Sequence, residues 1–213
     1  VKGYRGSYLT AYNNGDYGVY AFDAVDGVLD HSYATGSPDA GFYIGQCYPC
    51  DAIVNNVVSE YNGLGYSGTN SGGSLYITSS IFRNNKGGLA PNTLDSELLP
   101  PERETFIIGN LIENNNNYNS PATNSTYLSY GNGVVIAGGN NNIIKNNVIV
   151  DHDLYGVILT ASMDVNYWPA HGNRVEKNLI LSSRKADIAV SGVSNLANCF
   201  EGNYFNTSIP PGL

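Results

Sequence analysis

At 213 residues the chain is long enough for one domain with a sizeable buried core. Only 13% of residues are charged, the formal net charge is -8, and no Lys/Arg cluster is present, which excludes the counterion release that drives nucleic-acid binding. No apolar run approaches bilayer-spanning length, and residues 1 to 20 lack a charged-then-apolar secretory pattern.

With 25 Gly and 17 Tyr beside an excess of Asn and Ser, many turns and an all-β chain are expected. Val1 to Tyr17 reads as the end of a structural repeat. An upstream rung or cap is therefore expected before it, or an open end that pairs with something, self-association included. Gly18-Val-Tyr-Ala-Phe then begins a series of Gly followed by alternating apolar residues, which returns at Gly41, Gly65, Gly88, Gly133 and Gly156 and closes at Asp187-Ile-Ala-Val-Ser. Wherever the series is uninterrupted the step is 23 or 24 residues, too short for a repeat containing a helix and its loops. Three short strands per turn of a solenoid fit that length. A second column, Ser7, Ser32, Asn56, Ser80, Asn110, Asn147, Asn178 and Asn203, precedes pairs of apolar or aromatic residues, and polar groups there are expected to stack as a ladder inside a turn.

Along the first rungs, Asp16 and Asp39 each stand two residues before a series glycine. Carboxylates stacked about 4.8 Å apart repel unless neutralised. A bound Ca²⁺ would do so; a shared proton, Lys86, or a plain turn role are the alternatives. Tyr20, Phe22 and Tyr43 point outward on those strands as a candidate sugar-stacking strip. Cys47 and Cys50 lie in Cys-Tyr-Pro-Cys; a local disulfide is preferred over free thiols, and it would imply an oxidising compartment.

Function in such solenoids concentrates where a rung exceeds its normal length. Three places do so: Thr93 to Glu104, Asn116 to Asn132, and Ala161 to His171. They are expected to wall a groove over Ala90, Asn92, Val135, Ala137, Ile158 and Thr160. Asp95, Glu97, Glu102 and Glu104 supply the carboxylates that two-acid glycoside chemistry needs, and Asp151-His152-Asp153 lies on the opposite margin. Asp95, Glu97, Glu102, Arg103, His152 and Asp153 are therefore the catalytic candidates. Asn92, Tyr167, Trp168 and His171 join Tyr20 and Tyr43 as the substrate-binding set.

On its glycine and ladder columns the chain resembles the pectin-lyase-like superfamily and its right-handed parallel β-helix repeat members, over essentially its whole length. The resemblance implies an all-β right-handed parallel β-helix of about seven to eight rungs, residues 1–213 as a single solenoid domain, and a polysaccharide held in the groove over the first sheet. The run from Asp16 through Asp23, Asp30 and His31 is similar to the pectate lyase stretch that supplies calcium ligands, with Val28 in place of its Trp. The Arg-x-Pro-x-x-Arg of the lyases, the paired-Asp and Gly-His-Gly motifs of polygalacturonases and the Asp-Pro-His of mannuronan epimerases are absent. The expectation is a secreted or cell-surface carbohydrate-active protein, a lyase, hydrolase or epimerase in which Glu97, Arg103, His152 or Asp153 converge. The alternative is a non-catalytic glycan-binding or structural module.

Overall fold

A computed structural model describes residues 1–127, 129–192 and 197–213. The chain coils through three sheets in turn. From Ala40–Gly45 in the first sheet it passes to Ala52–Asn55 in the second and Val58–Glu60 in the third, then returns to the first at Leu64–Thr69. Every neighbour within these sheets is parallel, and the sheets hold eight, eight and seven strands. Backbone groups are thus satisfied from one rung to the next, as in a parallel β-helix.

Side chains that point inward stack into columns along the axis. Leu29, Val54, Ile77, Ile107, Ile144 and Val175 form one from the second sheet. Phe82, Ile112, Ile149 and Ile180 form another from the third. Each fully buried Ile, Leu or Phe contributes roughly 1.5–3 kcal/mol relative to exposure, so a register slip, which would turn a column outward, is strongly disfavoured.

The glycine series has a steric cause. A Cβ at Gly88 would lie 2.0 Å from the Gly133 carbonyl oxygen, one at Gly133 would lie 2.5 Å from that of Gly156, and one at Gly18 would lie 2.4 Å from that of Gly41. None of these glycines has a positive φ. Close approach of successive backbones, rather than an unusual dihedral, is what demands glycine there.

Turns between sheets use one left-handed residue followed by an inward polar group. After Ser79, Gly109, Asn146, Lys177 and Gly202, all at positive φ, come Ser80, Asn110, Asn147, Asn178 and Asn203. Asn110 Nδ2 donates to Asn147 Oδ1 at 3.0 Å, and Asn147 and Asn178 repeat the bond at 2.9 Å. Two members expected in this column stand outside it. Asn56 is itself the left-handed residue and is exposed, so Val57 takes the inward place and donates its backbone N–H to Ser80 Oγ. On the first rung Ser7 is still in the strand, paired with Asp30, and Leu9 takes the inward position, its N–H on Ser32 Oγ.

Other corners carry stacks of their own. Asn62, Asn85 and Asn115 follow one another, with Asn115 Nδ2 3.4 Å from His152 Nε2. At the third corner Glu102 accepts from Thr105 Oγ1 at 2.7 Å and from Asn142 Nδ2 at 2.8 Å. Glu102 and His152, expected in the groove, are instead buried inside the solenoid. Cys47 and Cys50 are disulfide-bonded, and Cys199 is free and exposed.

Candidate active site

Two of the long connections fold back along the first sheet rather than away from it. The one after Gly87–Asn92 is drawn toward the amino end, where Asn70 Nδ2 donates to the Leu94 and Glu97 carbonyls and Leu98 N–H donates to Gln46 Oε1. On the other side, the segment containing the helical turn Asn124–Tyr127 reaches back to the second rung, where Thr123 N–H and Thr126 Oγ1 both bond the Pro38 carbonyl. A hairpin, Ser162–Met163 against Tyr167–Trp168, extends the first wall, with Ser162 Oγ on the Thr93 carbonyl at 2.7 Å. Between the walls lies a groove of about 520 Å³, whose lining includes Leu64, Ala90, Val135 and Ala137 together with Ser67, Thr69, Asn92 and Thr160.

Two carboxyl groups enter this groove, Asp39 and Glu97, with Tyr17 beside them. Glu97 is held by Tyr43, whose hydroxyl donates to Oε1 at 2.9 Å and to Oε2 at 3.1 Å. Burial raises the proton affinity of Glu97, the Tyr43 bond opposes that rise, and the charge of Asp39 adds to it. Asp39 is lifted to about 6, chiefly by burial and then by the neighbouring Asp16, while the Tyr17 hydroxyl pulls it down. Tyr17 and Tyr43 are themselves shifted upward, mainly by burial, and stay protonated as hydrogen-bond donors. The groove therefore holds two acids in different surroundings, the arrangement from which general acid and base roles arise.

Of the expected floor, Ala90, Asn92, Val135, Ala137 and Thr160 line this groove while Ile158 does not, and of the other catalytic, binding and metal candidates Glu97 and Asp39 line it. Asn92 sits in the floor, accepting from Thr69 Oγ1 at 3.0 Å and donating to the Ala90 carbonyl. Tyr20 is 52% exposed at the amino end and stacks on Tyr17, Tyr43 and Phe22. Tyr43 is 1% exposed, so it presents no open face to a sugar and acts through Glu97 instead.

The expected convergence of Glu97 with Arg103, His152 or Asp153 does not occur. Arg103 is at the opposite corner, its guanidinium over the Tyr48 ring and bonded to the Leu99 and Pro101 carbonyls. Asp153 pairs with Arg184 and accepts from Tyr130 on the far side of the Asn116 to Asn132 segment. Inside the solenoid, burial drives His152 down to about 3 and Glu102 up to about 8.

Asp95 is consumed by a clasp between the two loops of one wall. It accepts from Asn166 N–H and Nδ2, both at 2.7 Å, and from Trp168 Nε1 at 3.1 Å, while its own N–H donates to Asp164. Trp168 is thus tied into the wall, Tyr167 is exposed on the hairpin, and His171 is exposed at a corner where its N–H meets Asn140.

Asp16 and Asp39 occupy adjacent rungs, with Asp39 N–H on the Asp16 carbonyl. Among the described residues no group of three or more His, Cys, Asp or Glu is placed to hold a metal ion. Sequence reasoning missed Tyr17, and for Asp39 it weighed calcium, a shared proton, Lys86 and a plain turn role without linking it to Glu97. The available signal was the pairing of both with the start of the first-sheet strands, where the Asn116 to Asn132 segment arrives.

No family model and no curated protein matches the chain. Among solved structures, a double mutant of the periplasmic alginate epimerase AlgG superposes with TM-score 0.71 at 13% identity, over 97% of this chain and 47% of that one. The mannuronan C-5 epimerase AlgE4 A-module of Azotobacter vinelandii gives TM-score 0.56 at 18% identity, over 96% and 56%. The enzymatically active domain of bacteriophage CBA120 tailspike protein 2 gives 0.57 at 12%, over 96% and 37%. The chain spans about half the length of the epimerase structures it resembles. No helix among the described residues is long and apolar enough to cross a membrane. Likeness at such identities speaks to architecture alone, and in architecture the chain is a right-handed parallel β-helix.

Proposed function

We propose that this protein is a glycan-active enzyme that cleaves a polysaccharide lying along the groove of the first sheet, with Asp39 as general acid and Glu97 as base or nucleophile. The observation that carries the reading is that two carboxyl groups with raised proton affinity line one cavity, Asp39 from the second rung and Glu97 from a loop of the fourth. A carboxyl lifted to about 6 retains the proton that a leaving glycosidic oxygen needs, and a carboxylate oriented by Tyr43 is ready to activate water or attack carbon. The solved structures sharing the fold include two named as epimerases of alginate or mannuronan, which supports glycan chemistry on this scaffold. A disulfide at Cys47–Cys50 supports an oxidising, extracytoplasmic location.

The test is product analysis on an array of polysaccharides. Reducing ends would mark hydrolysis, and ultraviolet absorbance of unsaturated ends would mark elimination. Wild-type turnover abolished by both Glu97→Gln and Asp39→Asn is the expected result; turnover indifferent to both substitutions overturns the assignment. The exposed aromatics Tyr20 and Phe22 favour a second reading, a glycan-binding module, and binding without turnover on any polymer would select it.

A further inference from the structure

The charge of the groove bears on which glycan it takes. Among the described residues lining it there is no Lys, Arg or His, and the two acids are Asp39 and Glu97. The rest of its surface is apolar side chains, hydroxyls and one amide, with Tyr17 at the amino end. Among the cations elsewhere, Arg184 pairs with Asp153, Arg103 lies over Tyr48, and Lys86 Nζ donates to the Tyr118 carbonyl at 2.6 Å. A chain carrying one carboxylate per sugar would bring a row of negative charges into a groove whose described lining holds carboxyl groups and no cation, inside a protein of net charge -8, with no counter-charge to receive them. An uncharged sugar meets what the groove offers: Ser67, Thr69, Asn92 and Thr160 for its hydroxyls, and Ala90, Val135 and Ala137 for its C–H faces.

Resting on the glycan-active reading above, we infer that the groove selects a neutral polysaccharide and rejects polyuronates, in contrast to the fold's alginate- and mannuronan-epimerising members. Electrostatic exclusion also predicts a salt dependence. Salt screens repulsion between exposed charges, so the discrimination should narrow as ionic strength rises.

The measurement is calorimetric titration of the wild-type chain with matched oligosaccharides of glucose, mannose, galactose and xylose and of mannuronate and galacturonate, repeated with Glu97→Gln, whose lost charge should narrow the gap between the two classes. At low salt, at least one neutral oligosaccharide should bind roughly tenfold or more tighter than either uronate. Neutral binding should be insensitive to salt, while uronate binding strengthens with it. Met163→Lys adds one cation at a rim position that is 72% exposed and should close the gap severalfold. A uronate bound more tightly than every neutral sugar, no binding of any neutral sugar, or a gap unmoved by Met163→Lys each overturns the inference. The two proposals fail separately. Neutral binding without wild-type turnover leaves the substrate class standing and removes the Asp39–Glu97 chemistry, whereas uronate cleavage abolished by Glu97→Gln does the reverse.

Discussion

Replacing Glu102 by Gln should stabilise the protein, and increasingly so as the pH rises. Glu102 is wholly buried, and its carboxyl is held at about 8, against 4.5 when exposed, because burial outweighs the bonds from Thr105 and Asn142. Its folded-state proton affinity is thus raised. Stability is full below about pH 4.5, where both states are protonated, and is lost progressively up to about 8, as the unfolded chain alone ionises. Each pH unit in that window costs about 1.4 kcal/mol, so the loss between pH 5 and pH 7 is on the order of 2.5 kcal/mol. Gln keeps the geometry, its carbonyl accepting from Asn142 and its amide donating to Thr105 Oγ1, while removing the titration. Urea unfolding of both proteins from pH 5 to pH 8 measures the difference directly. The stability gap between Glu102→Gln and wild type should grow with pH along this slope; parallel pH curves for the two would refute the buried, protonated assignment.

His152→Asn should act at the opposite end of the scale. The imidazole is pushed down to about 3 by burial, so stability is intact above pH 6.5 and falls as acid protonates the unfolded chain; Asn, continuing the Asn62–Asn85–Asn115 stack, should recover about 2 kcal/mol at pH 5 by denaturant unfolding. For catalysis, the acid role of Asp39 predicts a rate that declines as pH rises through about 6, and Asp39→Asn should lower kcat by roughly 10²–10⁴-fold and erase that limb of the profile. Asp95→Ala should untie the clasp. Since Trp168 is the single tryptophan of the chain, its emission should shift while far-ultraviolet circular dichroism is unchanged, and kcat should fall severalfold through the loop that carries Glu97. Calcium or a chelator should leave turnover unchanged when a proton on Asp39 relieves the pair; a calcium-dependent rate would return Asp16 and Asp39 to a metal-binding role.

The solenoid was legible because its glycine column has a hard steric origin that sequence spacing reports without ambiguity. The polar column was legible only to within a residue or two. Both the left-handed turn residue and its inward successor accept Asn, as Asn146 and Asn147 show, so Asn56 was read one place out of register. Ser7 was misplaced because Leu9 substitutes for a polar residue on the first rung. Within the site, Glu97 and Glu102 are five residues apart in one acidic loop, yet one enters the groove and the other turns into the core. Nothing local distinguishes them, since the fate of Glu102 is decided by Thr105 and by Asn142 one rung away. Asp39 was conspicuous as one of a pair, but the acid role proposed for it rests on Glu97, which arrives from a loop more than 50 residues later.

The two walls of the groove also change the mechanics of the solenoid. In an ideal stack each rung touches only its neighbours, and the ends can fray independently of the middle. Here Glu97 reaches from the fourth rung to Tyr43 on the second, and Thr126 reaches from the segment between the fourth and fifth first-sheet strands to Pro38. These straps skip over intervening turns, so peeling away the second rung must also release loops rooted two or three rungs further on. The amino-terminal half should therefore melt as one cooperative block, and an occupant lying along the groove would act as a third strap, suppressing hydrogen exchange in rungs it scarcely touches.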